Sequence, residues 1–286
     1  GCDDCDSGSY DPSNDGLDSD ADGTCDAGDH CEGGDDNYDT DEDGKPDDCD
    51  VDHDLHDGAN LVSFFALPVV TEVSSMFETL GDNANGVIGE GVVSANFGNG
   101  NWAGSLYDIQ PDGGYWLKVH EAATLETHGL PTGAVSYSLH EGNNLASYSY
   151  AIDNDIEDAI PADIAGGLYG IAGEGIAAIN IAGTTWLGES PWVGSLEAFE
   201  GGKGYWLVTN PGISFDDFSY NPPSNDELSR AIVKQPVLPT VPVEYAYTQS
   251  QNQAFFFVKD ASIDGEALED GDWIVAYNGD VVVGAR

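Results

Sequence analysis

Between Asp11 and Asp54 the chain reads DPSNDGLDSDADGTCDAGDHCEGGDDNYDTDEDGKPDDCDVDHD, with aspartates two residues apart in runs that end on glycine. Residues 1–57 carry 23 acidic side chains against one lysine. A chain of this kind cannot bury enough apolar surface to offset the entropy of ordering itself. If it orders, cations must neutralise it, and the spacing points to Ca²⁺. This is a hard cation that takes six to eight oxygen ligands, supplied in acidic loops from positions 1, 3, 5, 7, 9 and 12 with glycine at 6. Glycine belongs at position 6 because the turn there needs a positive φ.

Three windows fit that loop. The first uses Asp11, Ser13, Asp15, the Leu17 carbonyl, Ser19 and Asp22, with Gly16 at the turn. The second uses Asp18, Asp20, Asp22, the Thr24 carbonyl, Asp26 and Asp29, with Gly23. The third uses Asp39, Asp41, Asp43, the Lys45 carbonyl, Asp47 and Asp50, with Gly44. A partial fourth continues as Asp50, Asp52 and Asp54 without a glycine. The windows overlap at Asp22 and Asp50, which leaves no room for the flanking helices of an EF-hand. The stretches DSDADGTCD and DTDEDGKPDDCD resemble the thrombospondin type 3 repeat, over roughly the first fifth of the chain. The resemblance implies a stiff stalk of chain wrapped around a row of shared Ca²⁺ ions, stapled by disulfides between neighbouring loops.

All five cysteines (Cys2, Cys5, Cys25, Cys31 and Cys49) lie in this segment. Disulfides would imply an oxidising compartment; the competing reading is a zinc half-site at Cys2 and Cys5. The histidines of DVDHDLHDG, His53 and His56, are expected at the solvated end of the stalk, with a transition-metal site as the alternative.

The formal net charge of −46 excludes nucleic acid and anionic membranes as partners. No run of eighteen apolar residues reads as a membrane-spanning helix, and no signal peptide is visible. The start at Gly1 and the end at Arg286 suggest a processed or fragmentary chain.

From Gly58 to about Pro211 the sequence repeats itself. Asn60-Leu61-Val62-Ser63 matches Asn144-Leu145-Ala146-Ser147, and the Gly-Glu-Gly of Glu90 matches that of Glu174. Gly114-Tyr115-Trp116-Leu117 matches Gly204-Tyr205-Trp206-Leu207. The second copy carries an insertion near Trp186 to Pro191. A period this long means two copies of a small domain. Each copy reads as β, with short aromatic and branched strands bounded by Gly, Asn and Pro. One short helix is expected in each, at Val73–Leu80 and at Ile156–Ile160. The modules resemble ones repeated in large bacterial surface and secreted proteins. Glu90 and Glu174 have no repeated carboxylate partner, so they are expected to bind backbone amides in their glycine turns and not to catalyse. Most of the Tyr and Trp rings are expected in cores. Trp186 is the best exposed candidate for stacking on a sugar.

Phe215 to Pro242 reads as a Pro-rich linker. Beyond it, Val243–Tyr247, Ala254–Val258, Asp272–Tyr277 and Asp280–Gly284 read as strands, with an Asn278-Gly279 hairpin turn. The stretch from Ile263 to Ala285 resembles a bacterial surface-protein β-sandwich of the I-D-G-x-x-L-x-x-G-D type, with too few strands to be complete. An open sheet edge invites added strands.

The expectation is a mostly β, non-enzymatic protein of the bacterial cell surface or a fibre. Its segments are a Ca²⁺-wrapped stalk (1–57), two homologous modules (58–134 and 135–214), a linker (215–242) and a partial β-sandwich (243–286). Its expected partners are calcium together with further copies of itself in a head-to-tail polymer, or other surface proteins. The alternative is a polysaccharide-binding or adhesion accessory of a secreted enzyme.

Overall fold

The computed structural model describes residues 17–181, 191–223, 242–247, 262–263, 266–267 and 272–285. The chain divides into two compact units, Gly1–Asn225 and Asp226–Arg286. The protein is mostly β, in antiparallel sheets, as its short branched and aromatic runs require.

The first module contains β1 (Asp50–Leu55), β2 (Gly58–Val62), β3 (Ala66–Leu67), β4 (Ala84–Gly89), β5 (Val92–Asn96), β6 (Trp102–Gly104), β7 (Tyr115–Val119), β8 (Ala123–His128) and β9 (Leu130–Pro131). The second contains β10 (Tyr137–Leu139), β11 (Asn143–Ser147), β12 (Asn154–Asp155), β13 (Leu168–Ala172), β14 (Ala177–Asn180), β15 (Trp192–Gly194), β16 (Ala198–Phe199), β17 (Gly204–Thr209) and β18 (Phe215–Phe218). Five-stranded sheets of order β2-β7-β4-β5-β6 and β11-β17-β13-β14-β15 have the same topology, so the repeat in the sequence is a repeat in the fold. Each module also has a two-stranded ribbon, β1-β8 and β10-β18.

Each module has its own core. The first gathers Val51, Leu55, Phe64, Phe77, Val87, Leu117 and Leu125. The second is more aromatic: Tyr148, Phe199, Tyr205, Phe218 and Tyr220 meet edge to face or stacked, with centroid distances of 4.8–5.4 Å. Tyr115 and Tyr205 occupy matching places, and each phenol oxygen accepts a backbone N–H, from Gln110 and Glu200 respectively, at 2.8 Å.

Several expected boundaries move. Asp50–Leu55, expected as a partial fourth loop, is a strand of the first module, paired with β8. Val51, His53 and Leu55 face the core while Asp52 and Asp54 face outward. Aspartate at every second position is also the period of a half-buried strand, and the apolar residues between the aspartates select the strand. His53 is therefore buried, not solvated; its Nε2 lies 3.0 Å from the Ser63 carbonyl and 2.9 Å from the Gly202 carbonyl, and burial lowers its pKa to about 4. Phe215–Phe218, expected in the linker, is β18, because Phe218 fills the aromatic core beside Tyr220.

The first expected helix is one turn, α1 (Val73–Met76), followed by a 3-10 segment, Glu78–Asn83, that breaks at Gly81 (φ 53°). The second is α2 (Ile156–Ala159), and Pro161 opens a further turn, α3 (Ala162–Ala165).

In the second unit, β19 (Ser262–Ile263) pairs with β20 (Glu266–Ala267), and β21 (Val275–Asn278) pairs with β22 (Val281–Ala285). The turn residues are Gly279 and Asp280, with Gly279 at φ 64°, one place later than expected. Val243–Tyr245 forms a 3-10 turn behind Pro242, not a strand. The expected strand Ala254–Val258, the linker residues 224–241 and Trp186 lie outside the described residues.

Candidate metal centre and the seam between modules

The second and third sequence windows fold into the same loop, offset by 21 residues. Carboxylate oxygens of Asp18, Asp20 and Asp22 lie within 4.8 Å of one another, and so do those of Asp39, Asp41 and Asp43. In the first loop Asp18 accepts the amides of Ala21 and Gly23 at 2.8 and 3.2 Å, and Gly23 has φ +95°. In the other, Asp39 accepts the amides of Asp43 and Gly44 at 3.2 and 2.9 Å, and Gly44 has φ +93°. Even the strained non-glycine positions correspond: Ala21 and Glu42 sit at φ 67° and 62°.

Positions 1, 3 and 5 thus converge, as the spacing anticipated. Position 9 does something else. Asp26 accepts the N–H and hydroxyl of Ser19 at 2.8 and 2.9 Å, and Asp47 accepts those of Thr40 at 2.7 and 2.6 Å. The Asp26 and Asp47 amides in turn donate to the Leu17 and Tyr38 carbonyls, so both aspartates clasp the two ends of a loop together. Among the described residues, neither belongs to a convergent triad. The Leu17 carbonyl, expected to face a cation, takes the Asp26 amide.

A third triad joins Asp41 to Asp50 and Asp52 on the outer face of β1. Asp54, next along that face, stands beside Thr124, whose hydroxyl donates to it at 3.4 Å. Lys45 donates to Asp43 and Asp50 at 2.6 and 3.4 Å. Asp11, Ser13 and Asp15 lie outside the described residues. Neither the Thr24 nor the Lys45 carbonyl is part of a side-chain triad; each residue's amide donates to the preceding aspartate, at 2.6 and 2.9 Å.

The electrostatics follow the packing. The Asp36 and Thr24 amides hold Asp22 below the usual carboxylate range, and Lys45 does the same for Asp43. Burial raises Asp29 and Asp50. Burial, then the charges of Asp50 and Asp41, raise Asp52 to about 6. Each triad is made only of carboxylates, with no imidazole or thiolate, which is the donor set for a hard divalent cation and fits Ca²⁺. The Cys31–Cys49 disulfide ties the segment between the loops to the start of β1, and Cys25 is disulfide-bonded as well, so these three are not free thiolates for zinc.

The second feature was missed in the sequence. The two modules meet across a pseudo-two-fold seam, and the glutamates of the Gly-Glu-Gly turns cross it. Glu174 accepts the Leu61 amide at 2.7 Å and pairs with His56 at 2.5 Å. Reciprocally, Glu90 accepts the Leu145 amide at 2.7 Å and pairs with His140 at 2.5 Å. The expected amide ligation is present, but the amides belong to the other module. Next to it, the Ser63 amide donates to Gly202 at 2.8 Å and the Ser147 amide to Asp112 at 3.0 Å. His53 adds its bond to Gly202 on one side only; Tyr137 stands in its place in the second module, bonded to Ser147.

At the centre, Leu61, Trp116 and Leu145 are buried with Trp206 packed against them. Gly114 and Gly204 face each other there. A Cβ on Gly204 would stand 2.9 Å from the Val62 carbonyl and 3.3 Å from the Gly114 Cα, and one on Gly114 would stand 2.7 Å from the Ala146 carbonyl. The missed signal was His-x-Gly-x-Asn-Leu-x-Ser, which recurs at His56 and His140 with the same offset as the rest of the repeat. Trp102 packs on Phe77, and Trp116 and Trp192 are buried, so the described module tryptophans are engaged in packing as expected.

No protein-family model, curated protein or solved structure matches this chain. Among the described residues no helix is long and apolar enough to cross a membrane.

Proposed function

We propose that the protein is a non-enzymatic, calcium-binding structural component of a bacterial cell surface or extracellular fibre. The observation that carries this is the pair of acidic loops, 21 residues apart, each turning three aspartates toward one point with a glycine at φ above 90°. Ca²⁺ held by Asp18, Asp20 and Asp22, by Asp39, Asp41 and Asp43, and by Asp41, Asp50 and Asp52 would neutralise mutually repelling carboxylates. The last set spans the loop and β1, so a cation there ties the acidic segment to the first module. Cation binding to the ordered form alone converts binding energy into order. Three disulfide-bonded cysteines suit an oxidising, extracytoplasmic setting.

For the polysaccharide-binding alternative, Trp102, Trp116, Trp192 and Trp206 are occupied in packing, and its candidate Trp186 lies outside the described residues. The test is calorimetric Ca²⁺ titration of the whole chain, with far-ultraviolet circular dichroism before and after chelation. Two or more ions bound, with ordering and little added helix, supports the proposal. No heat of binding up to millimolar Ca²⁺ refutes it.

A further inference from the structure

We propose that the seam between the modules is a self-recognition surface that also pairs modules from different chains, its partner being a second copy of this chain. This goes beyond the calcium reading and does not depend on it.

The contact is isologous. The surface made of His56, Leu61, Ser63, Glu90 and Gly114 is the same surface as His140, Leu145, Ser147, Glu174 and Gly204, and each meets the other. Self-complementarity of this kind is what a two-fold homodimer uses, and here one chain supplies both halves. The seam strands β2 and β11 are terminal in their sheets, and each is bridged to the other module, Val62 to Lys203 and Ala146 to Gly113. The Leu61 and Ser63 amides, and the Leu145 and Ser147 amides, are taken up by the opposite module. A module parted from its mate would therefore present an open, apolar sheet edge with Trp116 or Trp206 uncovered, which any copy of the same surface fits.

Charge favours this face over the rest. A chain of net −46 repels its own copies, but across the seam Glu90 and Glu174 are each met by an imidazole and an amide. The other charged groups along it are Asp57, Asp112, Glu141 and Lys203. Only the connector Thr132–Ser136 selects the partner in the same chain. It turns at Gly133 (φ +60°), and Thr132 bonds Phe65 of the first module and Ser149 of the second. Pairing within the chain wins through effective concentration, which for a short linker is in the millimolar range. If the connector cannot turn back, the same contacts form between two chains.

Deleting Gly133 and Ala134 from the full chain removes that turn. Light scattering should then give twice the 30.1 kDa mass of the chain. Adding Glu90→Lys and Glu174→Lys should return the mass to that of one chain. A folded deletion variant that stays monomeric up to about 1 mM overturns the proposal, and so does a dimer indifferent to the lysine pair. If the deletion variant does not fold, the unaltered chain is refolded from urea at about 1 µM and at about 1 mM, bracketing the effective concentration of the linker. A dimer that appears only in the concentrated sample, survives dilution and is lost in Glu90→Lys/Glu174→Lys supports it. Monomer alone at both concentrations refutes it.

Discussion

Glu174 places one oxygen on the Leu61 amide and the other on His56, and both donors lie on β2 or just before it. Removing the carboxylate leaves a strand-edge amide without its acceptor at a largely covered site. That loss typically costs about 1–3 kcal/mol. Glu174→Ala should therefore lower the free energy of urea unfolding by that order, and Glu90→Ala by a similar amount, since its contacts are the same. A change below experimental error in both would show that the seam contributes nothing to stability.

The histidines add a pH dependence. His140 donates from Nδ1 to the Glu141 carbonyl at 2.8 Å and from Nε2 to Glu90, so only the imidazolium satisfies both. These two acceptors raise its pKa above the ordinary value of 6.5. A histidine raised on folding contributes stability that is complete below its unfolded pKa and lost as pH rises through the folded one. The chain should therefore lose stability as pH rises from about 6.5 through the raised pKa of the folded state. Glu90→Gln should flatten that part of the profile, which thermal melting at several pH values would reveal. The imidazole is largely exposed, so solvent screening keeps the effect small.

At the scale of an element, the acidic loops separate two jobs that one residue type performs. Asp43 belongs to a convergent triad, whereas Asp47 holds Thr40 and closes the loop. Asp43→Asn should weaken Ca²⁺ binding roughly tenfold or more, as expected when a carboxylate ligand loses its charge. Asp47→Asn should leave the number of bound ions unchanged and act mainly on loop order. Titration calorimetry of the two variants distinguishes these outcomes; equal losses would mean that position 9 is a ligand after all. The strand β1 marks how far sequence spacing reaches. Asp50, Asp52 and Asp54 continue the aspartate period, and that period is ambiguous between a metal loop and a strand edge. Val51, His53 and Leu55 settle it by burying their side chains. The first module therefore begins earlier than the aspartates suggest.

For the whole molecule, net charge and metal are linked. The triad carboxylates lie within 4.8 Å of one another in a chain with 53 acidic residues, so Ca²⁺ should act on the stability of the first unit and not only locally. At free Ca²⁺ about a hundred times the dissociation constant, one site adds about 2.7 kcal/mol. Excess chelator should accordingly lower the melting temperature by several degrees, and Ca²⁺ should restore it. An unchanged melting curve would leave the acidic loops as ordering elements without a cation.

Local chemistry alone determined the β character, the duplication, the core placement of the Tyr-Trp strands and the convergence of aspartates at loop positions 1, 3 and 5. Each of these follows from propensity, periodicity or short-range geometry within a few residues. Tertiary structure decided where the glutamates of the Gly-Glu-Gly turns point. Leu61 and Glu174 are 113 residues apart, and no local rule joins them. It also decided that His53 is buried and that Gly114 and Gly204 must lack side chains. Those outcomes depend on two copies of one module closing on each other, and each copy reads the same whether or not the other is beside it.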